Sequence, residues 1–393
     1  MKNWRTASLG SLCNIEIGKT PYRKNKAFWD VDKHSQNVWL SIADLTQASD
    51  LFIVNSREYV SDVASKNLKI VREGALLLSF KLTLGRLAFA GRDLFTNEAI
   101  AAITPNDSEE LSKFYLYWFL RSIDWDAQAD GDEKVKGKTL NKAKLKALMV
   151  SFPPLSEQLR IVSILDECYK AIDQAKANTE RNLKNVRELF ESYLQGVFEN
   201  RGDRWEERTI GEICKLINGR AYKKEELLSN GKYRVLRVGN FFTNNQWYYS
   251  NLELEDDKYC ENGDLLYAWS ASFGPKVWKA EKVIYHYHIW KVVPNDELVT
   301  RDFLFTLFDW DKEKIKREQG TGTTMIHVSK GSMENRLVVV PPLEQQYKIV
   351  GQLTELNCET QKLEAAYRQK LADLEGLKKS ILQKAFAGEL TNR

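Results

Sequence analysis

Gly18-Lys19-Thr20 has the closing residues of a P-loop, in which backbone N–H groups cradle phosphate and a lysine meets its charge. That motif needs a glycine five residues before Gly18, and Cys13 stands there. Pro153-Pro154 and Pro341-Pro342 are similar to the Asn/Asp-Pro-Pro-Tyr/Phe motif of amino-methyltransferases. Flanked by Phe152 and Leu155, and by Val340 and Leu343, they lack both the group that would hold an amine and the aromatic that would stack a base. His286 and His288 alternate as on one face of a strand and could begin a metal site, but no third ligand has suitable spacing. G-x-G-x-x-G is absent. The expectation is a chain without a catalytic apparatus, bound metal or cofactor of its own.

What remains is chemistry of contact. A glycine followed by cations and an aromatic occurs twice, at Gly18 with Lys19, Thr20, Tyr22, Arg23, Lys24 and Lys26, and at Gly219 with Arg220, Tyr222, Lys223 and Lys224. Backbone freedom, positive charge and a ring suit approach to phosphates and bases. Lys134, Lys136, Lys138, Lys142, Lys144 and Lys146 fall within thirteen positions without an acid, a second candidate phosphate-contacting edge. At the corresponding place in the second half stand Gln319, Thr321, Thr323 and Thr324, neutral donors on a flexible backbone. The segments Ser79–Gly85, with Lys81 and then Arg86, and Ala268–Gly274, with Ser270 and Ser272 and then Lys276, share one repeat position but differ in polar groups. For each segment an ordinary solvated loop is the competing reading. With 58 basic and 54 acidic residues and a net charge of +4, the chain is too balanced to hold nucleic acid by bulk charge alone.

The elements that position these groups also come in pairs. A shift of 188 places Pro153-Pro154-Leu155 on Pro341-Pro342-Leu343, Gln158 on Gln346, and Leu194-Gln195 and Phe198 on Leu382-Gln383 and Phe386. Shifts of 201 and 189 carry Trp4, Gly10, Cys13 and Gly18 to Trp205, Gly211, Cys214 and Gly219, and Gly74 and Gly85 to Gly263 and Gly274. The chain is one unit used twice. Each opens with a mixed α+β globule, in which Gly74–Leu78 and Val283–Trp290 read as strands and Phe114–Leu120 as helix. Five cysteines without CxxC spacing read as reduced core thiols. No apolar leader or membrane-spanning run is evident, which suggests a cytoplasmic protein.

Each unit closes with a long helix, because Pro-Pro suits the approach to a first turn and a 4,3 apolar spacing follows. The seam predicted from that spacing includes Ile161, Leu165, Cys168, Ile172, Val186 and Leu189 in the first helix. In the second it includes Ile349, Leu353, Leu356, Leu363, Leu374, Leu377 and Ile381. An amphipathic helix lying on a globule is the competing reading, but about 43 residues at about 1.5 Å each reach about 65 Å, longer than one small domain covers. The expectation is an antiparallel intramolecular coiled coil, with polar seam positions such as Thr179 available to fix register. The domains are then 1–152, the helix 153–203, 204–340, and the helix 341–393.

The doubled Pro-Pro-Leu-x-x-Gln phrase, followed by a helix ending in Leu-Gln-x-x-Phe, resembles the specificity subunits of type I restriction-modification systems over essentially the whole chain. The globules also look like target-recognition domains, through Gly18-Lys19-Thr20-Pro21 with Trp29, Thr96–Ile100, and Tyr267–Pro275; Gly219-Arg220-Ala221-Tyr222 departs from the first copy. The resemblance implies a non-catalytic reader of double-stranded DNA whose two domains each recognise half of a split, asymmetric site. It further implies a helix pair that sets the gap, two docked methyltransferase subunits carrying S-adenosylmethionine, and a restriction subunit that joins for cleavage. A coiled-coil scaffold for proteins and a stand-alone DNA-binding regulator are the alternatives.

Overall fold

The computed structural model describes residues 3–48, 50–129, 133–134, 137–138, 140–200, 202, 204–270, 274–319 and 328–390. The chain forms two compact units, one of residues 1–179 with 369–393 and the other of residues 180–368.

The first unit is built on a five-stranded sheet in the order Cys13–Ile17, Ile100–Pro105, Leu76–Ser79, Leu87–Ala90, Phe52–Ile53. All neighbours are antiparallel except the last pair. The run Leu76-Leu77-Leu78 is apolar throughout because both faces of its strand are covered. Leu76 and Leu78 point with Phe89 and Ile103 into a core shared with the helix Lys113–Ser122. Leu77 points the other way, with Ala88, Ala90, Ile100 and Ala102, onto Val38 and Leu40. A smaller sheet orders Glu58–Tyr59, Val38–Leu40 and Phe95–Thr96.

The second unit repeats the plan. Its antiparallel sheet runs Cys214–Asn218, Ile289–Pro294, Leu265–Ala268, Gly274–Val277, and its smaller sheet Tyr248–Ser250, Tyr233–Leu236, Val283–Tyr285, Tyr259–Cys260. Leu265 and Tyr267 face Phe303, Leu307 and Phe308, while Leu266 and Ala268 face Phe241, Trp278 and Tyr285. Val283–Trp290 is therefore not one strand. The chain leaves the small sheet at Tyr285, turns through His286-Tyr287-His288 and enters the large sheet at Ile289. Cys13, Cys214 and Cys260 are buried, and burial pushes the first two thiols up to about 12. Cys358 is exposed, so the expectation of core thiols does not hold for it.

In each unit an opening strand pairs with the strand that leads to Pro-Pro: Arg5–Ser8 with Met149–Phe152, and Glu206–Thr209 with Leu337–Val340. The long helices Leu155–Glu199 and Leu343–Phe386 begin just beyond the prolines. Gln158 explains the repeated phrase. Its side chain is fully buried, its Nε2 donates to the carbonyls of Glu110 (2.8 Å) and Pro153 (2.9 Å), and its Oε1 accepts from the Ser112 amide (2.9 Å). Gln346 makes the same three bonds, donating to Leu298 and Pro341 and accepting from Thr300, each at 2.8 Å. Trp4 and Trp205 add a second tie, donating to Glu157 (3.4 Å) and Gln345 (2.9 Å).

Within each unit the two helices run antiparallel. In the first, Tyr169 donates to the Lys378 carbonyl (3.1 Å), Asp173 pairs with Lys378, and Lys176 pairs with Glu375 (2.7 Å). In the second, Arg187 pairs with Glu364 (2.7 Å) and the Tyr193 hydroxyl meets Gln352 (3.3 Å). Ile161, Leu165, Ile172 and Leu353 are buried; Cys168, Val186, Ile349, Leu356, Leu374 and Ile381 are half-buried. Leu189, Leu363 and Leu377 correct the predicted seam, being 64%, 45% and 46% exposed. A strict 3.5-residue stripe drifts about 20° per heptad around a 3.6-residue helix. Toward Glu199 the inward face has passed to Leu183, Val186, Phe190 and Leu194. Thr179 is buried but donates to the Ala175 carbonyl (2.7 Å), so its own helix absorbs its hydroxyl and it does not set the register. Among the described residues no helix is long and apolar enough to cross a membrane.

Replacing Gln158 or Gln346 with leucine keeps the volume but strands an amide and two carbonyls. Each change is expected to cost about 1–3 kcal/mol, seen as a lowered melting temperature in calorimetry. Lys362→Ala, at an exposed ion pair, should shift it little.

Candidate nucleic-acid interface

In both units three loops converge on one turn. In the first unit Gly18 N donates to the Ile100 carbonyl (3.4 Å) and Lys19 N to that of Thr96 (2.8 Å). Phe80 N donates to Ala99 (3.0 Å) and Leu140 N to Phe80 (3.0 Å), so the segment that follows the 130–139 stretch joins the same cluster. In the second unit Gly219 N donates to Ile289 (3.1 Å), Arg220 N to Tyr285 (3.0 Å), Trp269 N to His288 (3.1 Å) and Val328 N to Trp269 (3.2 Å). The frames match bond for bond. A Cβ at Gly18 would lie 2.1 Å from the Thr96 carbonyl oxygen, and one at Gly219 would lie 2.3 Å from that of Tyr285. Close approach, and not a positive φ, is why glycine stands at both positions.

The side chains on this shared frame differ. In the first unit Thr20 donates to Glu98, whose carboxyl is held below its usual range: burial opposes the shift, but the Thr20 hydrogen bonds and the Lys81 charge outweigh it. Lys19, Lys24, Lys26 and Arg86 are exposed and form no ion pair among the described residues. Tyr22 is exposed beside them. Arg23 is engaged within the fold. Its guanidinium is clamped by both oxygens of Glu58 and stacked 4.2 Å from Trp29 and 4.7 Å from Trp39. It staples the loop to the small sheet.

In the second unit Arg220 is a staple too, bonded by both terminal nitrogens to Glu226 at 2.9 and 2.7 Å, which raises its pKa. Tyr222 donates to the Tyr285 carbonyl (3.3 Å) and is half-buried, and Lys276 donates to the Phe241 carbonyl (2.6 Å). Ser270 is buried. Lys223 and Lys224 remain exposed. Lys136, Ser272, Thr321, Thr323 and Thr324 lie outside the described residues, and Lys134, Lys138 and Gln319 are described by backbone alone.

The structure adds groups that spacing did not single out for this role. His286, Tyr287 and His288 form the turn on which the three loops meet, with Trp269 donating from its ring to the Tyr287 carbonyl (2.8 Å). Behind the turn, a 220 Å³ cavity is lined by Arg237, Asn240, Asn244, Gln246, Tyr248 and both histidines. Arg237 lies 5.3 Å over the Tyr248 ring, and among the described residues no carboxylate pairs with it. Burial first, then His288 and Arg237, lowers the His286 pKa to about 4, so this ring is neutral at pH 7. Among the described residues no group of three or more His, Cys, Asp or Glu is placed to hold a metal ion.

The family model described as "Type I restriction modification DNA specificity domain" matches this chain twice, over residues 1–184 and 202–372. The chain belongs to that family. Across 99% of its length it is 22% identical to the type I restriction enzyme MjaIX specificity subunit of Methanocaldococcus jannaschii, covering 94% of that protein. A specificity subunit of Haemophilus influenzae is 24% identical over 63% of this chain and 64% of its own. Among solved structures, a chain from a study of assembly and conformational transition in the type I system aligns with a TM-score of 0.78 at 19% identity, covering 99% of both. The HsdS subunit of Thermoanaerobacter tengcongensis aligns with a TM-score of 0.68 at 20% identity, covering 99% of this chain and 98% of that one. The two matches of the family model fall on the two copies of the loop frame.

Two outcomes are expected. Gly18→Ala and Gly219→Ala force a Cβ into a carbonyl and should each open one frame, lowering the melting temperature by several degrees and abolishing selective binding. Unfolded His286 takes up a proton near pH 6.5, the folded ring only near pH 4. Stability therefore falls as pH drops through that window, because the unfolded state binds the extra proton. His286→Gln should flatten the decline in melting temperature between pH 7.5 and 5.

Proposed function

We propose that this member of the specificity family is the sequence-reading, non-catalytic subunit of a type I restriction-modification complex. The single observation that carries the reading is one backbone frame built twice with different side chains. A reader of a split, asymmetric DNA site needs two similar scaffolds, each able to approach the duplex, with unlike groups at the contact. Lys19, Thr20, Tyr22, Lys24, Lys26 and Lys81 occupy one frame; Trp269, His286, Tyr287, His288 and, nearby, Arg237 occupy the other.

In this reading residues 1–152 and 204–340 are the recognition domains, and the helices within 153–203 and 341–393 set the spacing between half-sites and dock two methyltransferase subunits. The partners supply S-adenosylmethionine and flip the target adenine, since a base inside a duplex cannot reach a methyl donor. A restriction subunit joins them for cleavage, in the cytoplasm. The near balance of charge fits this division, because partner subunits can share the phosphate contacts.

Co-purification of a complex with two methyltransferase subunits per chain, followed by sequencing of methylated adenines, tests the reading. A split motif is expected, and its absence would overturn the proposal. Replacing Lys19, Lys24 and Lys26 together by alanine should weaken binding at least tenfold and reduce the salt dependence by up to about three ions. The methylated motif should stay the same. Changing His288 or Trp269 should instead alter one half of the motif and leave the other intact.

A further inference from the structure

The turn joining strands Leu76–Ser79 and Leu87–Ala90 holds a bulky side chain where backbone and solvent both disfavour it. Leu82 has φ of +66°, a left-handed conformation that branched and bulky residues avoid, and its side chain is 51% exposed. Two residues on, Leu84 packs against the main core, so the loop has an inward apolar position and does not need a second one outward.

The loop is also rigid. Ser79 Oγ donates to the Thr83 carbonyl (2.5 Å) and accepts from Arg86 N (2.9 Å), Gly85 N donates to the Ser79 carbonyl (2.9 Å), and Ser79 is fully buried. A Cβ at Gly85 would lie 2.2 Å from the Trp125 ring, so the indole closes the base of the turn. Leu82 is thus held at an exposed bend, with half-buried Lys81 before it and exposed Arg86 four residues on, in the segment that joins the frame shared with Lys19. An asparagine or glycine would relieve the backbone, yet leucine stands there. In the second unit the same repeat position is Ala271, outside the described residues.

We propose that Leu82 is a specificity-determining contact of the first half-site, pressed against the C5-methyl group of a thymine while Lys81 and Arg86 meet the flanking phosphates. The proposal rests on the reading of the chain as a DNA reader and names one group that it reads. An exposed apolar side chain on a hydrogen-bonded turn can enter a major groove, where the thymine methyl is the one apolar feature that base edges offer, and apolar side chains read it by contact. Residues held in disfavoured backbone conformations cluster at ligand contacts, which agrees with a role for Leu82 there.

The test uses the full chain with its methyltransferase subunits and fluorescent duplexes carrying the mapped motif. Each thymine of the first half-site is replaced in turn by deoxyuridine, which removes only the methyl group. The wild type is expected to lose about three- to tenfold in affinity at one thymine. Leu82→Asn, which suits the left-handed backbone, should lose as much on the thymine duplex, show no further loss on deoxyuridine, and melt at the same or a higher temperature. Leu82→Met, with its apolar tip kept, should retain the discrimination. The proposal is overturned if no thymine of that half-site responds, or if Leu82→Asn binds and discriminates like the wild type. If the wild type shows no preference for its motif at all, the broader reading fails with it.

Discussion

A helix that starts inside a domain needs a fixed root, and in each unit of this chain one buried amide ties the first turns of the helix to backbone groups of the domain. Gln158 and Gln346 each bond one main-chain N–H and two main-chain carbonyls while entirely out of water, so each long helix leaves its domain at an angle set by three hydrogen bonds. Everything downstream depends on that fixed exit. A helix free to swivel at its root could not hold Tyr169 on Lys378 in one unit or Arg187 on Glu364 in the other.

The loop frame obeys the same economy. Its geometry is carried by main-chain bonds and by one glycine in each unit, which leaves side chains such as Lys19, Lys24 and Lys26 without a part in holding it. Arg23 and Arg220 take the structural duty of stapling their loops to Glu58 and Glu226, and the neighbouring lysines keep their charge outward. A scaffold that separates holding from reading can change what it reads without refolding.

Much of this was legible in the sequence, and the remainder has identifiable physical causes. The helices were readable because proline marks a start and apolar spacing marks a face. Leu189, Leu363 and Leu377 were misplaced because the drift of a helix against a strict heptad becomes visible only over many turns. The repetition of Gln158 was plain but its purpose was not, since its partners are backbone groups near residues 110–112 that carry no side-chain signature. The pairing of Arg220 with Glu226 lay six residues away in the chain. That of Arg23 with Glu58 joined segments 35 residues apart and needed the fold to be seen. The pair His286 and His288 read as sharing one face of a strand because alternation is all that spacing reports; a crossing between two sheets at that point leaves no local mark.

The two units differ in how they are threaded. Residues 180–368 form an uninterrupted stretch, whereas the first unit takes its last pieces from residues 369–393. Leu382 and Ala385 are buried in its core, and Phe386 packs on Tyr115 at 5.5 Å. On a ribosome adding about 5 to 20 residues per second, that core waits about 10 to 40 seconds after Thr179 is made before its closing turn is synthesised. The half whose translation begins first therefore cannot complete its core until Leu382 and Ala385 are made, and its apolar face needs shelter over that interval.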